Sequence, residues 1–124
     1  MTTKQIQWSI GAVFFILGGW AMLAPQSVID LTFRPEFRSG GRIVPFVVAC
    51  FGSQAMLSGL FAVASRFTRT TFLAYAVALA PFFVFDVWFT FVDRIFTPLG
   101  LLDGVGNIVM LGLCWIGWRR APAN

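Results

Sequence analysis

Four apolar blocks, each about 19–23 residues long and bounded by charge or proline, constrain this chain more than any other feature. They predict helices over residues 6–24, 43–65, 71–93 and 98–118. A helix of ~20 apolar residues spans the ~30 Å hydrocarbon core of a bilayer. None of the blocks has the period-2 alternation of a barrel strand, so only helices satisfy the backbone in lipid. The expected fold is all-α, an antiparallel four-helix transmembrane bundle in which residues 1–124 form a single integral membrane domain. Composition agrees with this. Hydrophobic residues make up 58% of the chain and charged residues 11%, against about 25% charged in a soluble domain. So few charges could not cover the large relative surface of a small soluble fold.

The segment after Met1-Thr-Thr-Lys4 has the outline of a signal peptide, but Ala24 precedes Pro25, which makes a poor cleavage site. It is expected to be a retained helix. Residues 25–42 read PQSVIDLTFRPEFRSGGR. Apolar residues alternate there with charges, which predicts an interfacial loop with a short helix from Ser27 to Phe33. Pro35 and Gly40-Gly41 prevent one long helix. The other connections, Ser65–Thr70 and Asp93–Phe96, are short. They predict that the second, third and fourth helices pack in sequence. Thr70 or Thr71 is the expected N-cap of the third helix. Thr97-Pro98 is expected to open the fourth.

An even number of helices places both termini on one side. That side carries Lys4, Arg66, Arg69, Arg119 and Arg120, against Arg34, Arg38, Arg42 and Arg94 on the other. The small excess places the termini in the cytoplasm, with the protein in a bacterial inner membrane.

Several chemistries are excluded. The chain has no histidine, so it has no bis-His haem, no His-ligated zinc and no Ser–His or Cys–His nucleophile. No metal and no cofactor is expected. The net charge of +4 comes from residues between the apolar blocks or at the chain ends, where membrane proteins place charge. Nucleic acid is therefore not an expected partner. Gly104-Val-Gly-Asn107 opens a membrane helix rather than following a strand, and is not a nucleotide-binding loop. Cys50 and Cys114 lie at depths that differ by roughly 12 Å, too far for a disulfide.

The informative residues are acidic. Asp86 interrupts an apolar run, Phe82-Phe83-Val84-Phe85-Asp86-Val87-Trp88-Phe89, roughly 9 Å inside its helix. Thr90 and Asp93 follow at i+4 and i+7, on the same face. Asp103 and Asn107, spaced i, i+4, enter the fourth helix from the same surface. These five residues are expected to share one depth between two helices. The first expectation is structural: Asp and Asn between helices hydrogen-bond across the interface and hold a bundle together, with Thr90 and Asn107 placed to satisfy Asp86. The alternative is functional, since an ionisable group within a membrane is a candidate site. Asp86, Thr90, Asn107, Trp88 and Gln54 are the candidate ligand-binding residues. Asp86, Asp93 and Asp103 are the candidate catalytic ones. Phe82, Phe85, Trp88, Phe89 and Phe91 offer ring faces for a cation. Arg34, Arg38, Arg42 and Arg94 emerge on the same side and could neutralise the acids. Arg34, Arg38 and Arg42 are also candidates for binding lipid headgroups. Pro81 could bend or loosen the third helix, although such a proline is more often simply tolerated in a membrane helix. Gln54 lies mid-membrane and is expected to bond to a neighbouring helix. The heptad pairs Gly11/Gly18 and Gly52/Gly59 are expected to mark close helix packing.

In helix count, and in the run Leu102-Asp-Gly-Val-Gly-Asn107, the chain resembles DoxX-like proteins among the small four-helix bacterial membrane proteins. The resemblance implies the four-helix outline and no activity or site residue.

These residues lead to an expected non-catalytic integral membrane protein, a subunit or self-associating bundle that holds a lipid or hydrophobic ligand. Its partners would be membrane lipids, with a protein partner or a homo-oligomer possible. One alternative is an isomerase- or cyclase-type enzyme that does acid–base chemistry on a lipid-soluble substrate through Asp86 with Asp93 or Asp103. The other is a small proton- or cation-linked transporter that acts as an oligomer.

Overall fold

The computed structural model describes residues 1–38 and 40–123; residue 39 of the expected interfacial loop lies outside the described residues. The described chain is all-helical. Its α-helices are α1 (Thr3–Leu23), α2 (Pro25–Thr32), α3 (Ile43–Ala64), α4 (Arg69–Ala78), α5 (Ala80–Val87) and α6 (Leu101–Arg120). Short 3-10 turns at Pro35–Phe37 and Pro98–Gly100 and a π turn at Trp88–Val92 join them. Four stretches, Thr3–Leu23, Ile43–Ala64, Arg69–Val92 and Pro98–Arg120, are long and apolar enough to cross a membrane.

Local chemistry explains the boundaries. Thr2 caps α1, and the Gln5 side chain returns the bond by accepting from the Thr2 N–H. Pro25 cannot continue α1 and instead occupies the first turn of α2. The third stretch starts earlier than expected. Thr68, rather than Thr70 or Thr71, is the N-cap, because its hydroxyl and that of Thr71 cap each other's backbone N–H. Pro81 has no N–H to donate, and the helix breaks just before it, at Leu79. Thr97 precedes the Pro98 turn as expected, but its hydroxyl donates to Leu31 O at 2.6 Å rather than capping its own helix.

The third and fourth long stretches pack against each other as expected, through α4 and α5 against α6, but the second does not pair closely with the third. The most extensive contact is α1 with α3, followed by α4 with α6 and α1 with α6. The α1/α3 pairing follows from its glycines. Residue numbers rise along one helix as they fall along the other, so Gly11 meets Gly59 and Gly18 meets Gly52. A Cβ on Gly52 would lie 2.6 Å from Gly18 O and would strike Met22 N; one on Gly18 would lie 2.7 Å from Ala55 Cβ. The expectation that α3 pairs with the following helix fails for a physical reason. The close approach to α1 uses the glycine face of α3, and between α3 and α4–α5 large side chains meet instead. Phe51 and Phe82 have ring centroids 6.3 Å apart, and Tyr75 Oη donates to Ser58 O at 3.2 Å.

Each end of the assembly is tied by hydrogen bonds. At the end that holds both termini, Gln7 Nε2 donates to Ala62 O at 2.8 Å and Ser65 O at 2.7 Å, Arg69 Nε donates to Ala121 O, and Arg120 donates to Met1 O. Here Ile6, Ile10, Phe67, Phe72, Met110 and Cys114 form the buried core. At the other end, Phe33 and Phe96 form a β-bridge, and Thr97 N donates to Thr32 O at 2.7 Å. Much apolar surface faces outward: Leu23 is 80% exposed and Ile43 76%.

Replacing Gly52 with Ala should destabilise the fold by about 1–3 kcal/mol, because backbone on α1 blocks the new methyl group. Gly112→Ala, which would meet nothing within 4 Å, should be neutral or stabilising by up to ~1 kcal/mol through helix propensity. Thermal unfolding of both variants in detergent checks this, and equal shifts would contradict the contact.

Candidate ligand chamber

The inward face of α6 repeats at helical spacing: Asp103, Asn107, Met110, Cys114 and Gly117. Its lower part is core. Gly117 sits against the Phe72 ring, which a side chain there would displace. Its upper part is polar and meets Asp86 of α5. Asp86 is 7% exposed and Asn107 5%. Asn107 Nδ2 donates to Asp86 Oδ2 at 3.0 Å and to Asp103 Oδ2 at 3.2 Å. An amide nitrogen carries two hydrogens, so one donor group serves both carboxyls. The Asp86 carboxyl lies beside Gly104 of α6.

Three of the five acidic-site residues therefore come together, and two do not. The expected i+4 and i+7 positions of Thr90 and Asp93 assume an unbroken α-helix. The π turn closes instead with Asp93 N donating to Trp88 O at 2.8 Å, and the wider turn carries Asp93, seven residues on, away from the Asp86 face. Asp93 is exposed, and the buried Thr90 hydroxyl has no hydrogen-bond partner among the described residues. Trp88 and Phe91 are 52% and 60% exposed and line neither cavity described below.

Two cavities flank the acids. The upper one, about 370 Å³, lies under the α2 segment and is lined by Asp86 and Asp103 together with Trp20, Phe33, Phe85 and Phe96. The lower one, about 470 Å³, lies between α3 and α4 and is lined by Asp103, Asn107, Gln54, Ser58, Tyr75 and Met110. Leu17, Phe51, Phe82 and Asp103 belong to both. The lower cavity lies beside the α1/α3 seam, with Phe14, Leu17 and Gly18 of α1 on its wall, in the gap between α3 and α4. Either cavity has the volume of a small-molecule site.

Among the described residues no cation acts on the two acids. The groups acting on their carboxyls are each other and Asn107. Arg34 Nε donates instead to Phe96 O at 3.3 Å, and Arg38 donates to Phe33 O at 3.0 Å and Asp30 O at 2.6 Å. These two arginines brace the loop over the upper cavity. Arg42 is exposed and precedes α3. Gln54 makes no side-chain hydrogen bond to a neighbouring helix among the described residues; it borders the lower cavity. That bridging role belongs to Gln7, which the sequence reading passed over, although its spacing of four to Gly11 puts it on the glycine face of α1. Tyr75, the one tyrosine in the chain, was also missed and ties α4 to α3. Cys50 and Cys114 are both free, and no group of three or more metal-ligating residues occurs among the described residues.

No protein-family model, no curated protein and no solved structure matches this chain.

Asn107→Leu should destabilise the protein by about 1–3 kcal/mol, because it removes the amide donor that both carboxyls share. Detergent melting measures the loss. Asn107→Leu combined with Asp86→Leu should recover part of it, and a double variant no more stable than the single one would contradict the bridge.

Proposed function

We propose that this chain is an integral membrane protein, an antiparallel four-helix bundle, that holds a lipid or other hydrophobic ligand in the two-cavity chamber. The observation that carries the reading is the chamber's make-up: apolar walls with Asp86, Asp103 and Asn107 gathered at one place on them. Binding sites for hydrophobic molecules combine apolar walls with a few convergent polar groups that fix orientation. The outward-facing apolar residues support placement in lipid. Lipid is also the direct source from which such a ligand would reach the space between α3 and α4. Arg34, Arg38 and Arg42, at the same end as the upper cavity, are suited to meeting headgroup phosphates there.

A second reading has one observation in its favour. Both carboxyls open into the upper cavity of a single chain, which is what acid–base chemistry on a lipid-soluble substrate requires. Under that reading Asp86 and Asp103 exchange the protons, and Asp93 takes no part because it stands away from the cavity. Asp86→Asn or Asp103→Asn would then abolish turnover while leaving substrate bound.

The binding reading predicts that organic extracts of the protein, purified in mild detergent, contain a hydrophobic species in near-stoichiometric amount. Ala78→Phe, which adds a ring to the wall of the lower cavity, should reduce that amount without unfolding the protein. Extracts indistinguishable from a detergent blank would sink the reading.

We further propose a bacterial inner-membrane location with both termini cytoplasmic, from the Lys/Arg excess at that end. A cysteine added at the C-terminus of a variant lacking Cys50 and Cys114 should resist a membrane-impermeant maleimide in intact cells and react after permeabilisation. Labelling in intact cells would reverse the orientation.

A further inference from the structure

The charge balance of the chamber is incomplete. Asp86 and Asp103 approach one another closely enough to share a single amide, and nothing positive acts on either. The arginines at this end are committed elsewhere or exposed: Arg34 and Arg38 to backbone carbonyls, with Arg42 and Arg94 at the surface. A carboxylate in apolar surroundings is costly unless a charge or several donors compensate it, and one amide divided between two acceptors supplies only a dipole. Two carboxyls this close are balanced by one proton held between them or by one external cation. The walls around the pair are aromatic, and ring faces attract cations. A bare metal ion fits poorly: no group of three or more ligating side chains occurs among the described residues, and rings replace water on most sides. An organic cation fits better. Asp103 borders both cavities, so a molecule anchored there has apolar room above and below.

We propose that the chamber takes a lipophilic cation, an alkyl- or arylammonium compound whose nitrogen sits between Asp86 and Asp103 and whose apolar body lies along Phe51 and Phe82. This rests on the hydrophobic-ligand reading and narrows it to positively charged ligands. The carboxyls select for charge, while the walls require an apolar body and so exclude small hydrated cations.

The test uses the full chain in phosphatidylcholine nanodiscs, with radiolabelled dodecylamine and dodecanol as probes and empty discs subtracted. Dodecylamine should bind well above empty discs. Asp86→Asn and Asp103→Asn, which preserve shape and hydrogen bonding, should each weaken it by about tenfold or more, since each removes one charge from a buried pairing. Dodecanol binding should not change between wild type and variants. If both probes bind alike and the Asn variants alter neither, the cation proposal is overturned and the hydrophobic-ligand reading survives. If neither probe binds the folded protein, that reading falls as well. Should an Asn variant fail to fold, competition on the wild type decides. Dodecyltrimethylammonium should displace dodecylamine and dodecanol should not; equal displacement overturns the proposal.

Discussion

The close approach of α1 and α3 at Gly11–Gly59 and Gly18–Gly52 is the contact on which the other arrangements depend. For helices proposed to lie in lipid, apolar side chains gain nothing by leaving one apolar medium for another. Association then depends on close packing and on hydrogen bonds. Glycines at both partners' faces allow backbone to meet backbone, with Gln7 adding bonds to Ala62 O and Ser65 O at one end of the seam. Once α3 is committed to α1, it cannot also close onto α4 and α5. Phe51, Phe82 and Tyr75 bridge the gap without filling it, and the chamber is the space that remains.

The position of the acids follows from a second pairing, α5 with α6. The Asp86 carboxyl lies beside Gly104 of α6 and accepts from Asn107. The carboxyls are held beside the cavities rather than at the surface, while Asp93 and Glu36 are exposed. Two acids beside apolar cavities, with neither Arg nor Lys acting on them among the described residues, are balanced by a proton held between them or by a cation from outside.

The loops complete the chamber. The α2 segment lies across its upper end, held by the Phe33–Phe96 bridge, by Thr97 to Leu31 O and Thr32 O, and by the arginine bonds to backbone carbonyls. The basic residues that suggest headgroup contact in sequence thus have a second use, bracing a cover over the upper cavity.

Hydrophobic length and charge placement determined the helical class, the four long stretches, the breaks at Pro25 and Pro81, and the free state of Cys50 and Cys114, because each depends on local composition or on depth along one helix. The heptad glycines and the i, i+4 pair Asp103 and Asn107 were also legible, since they lie on single helices of regular pitch. Only the tertiary structure decided which helices pair, because short loops limit where a helix can go without choosing its closest partner. It also decided that Asp93 leaves the Asp86 face and that the Thr90 hydroxyl does not bond to the acids, since nothing in the composition of Trp88–Val92 announces a π turn. The roles of Gln7 and Tyr75, the turn of Trp88 toward the exterior and the absence of arginine from the acid pair were equally tertiary matters. Each depends on what a neighbouring helix presents, and a pattern along one segment carries no record of that.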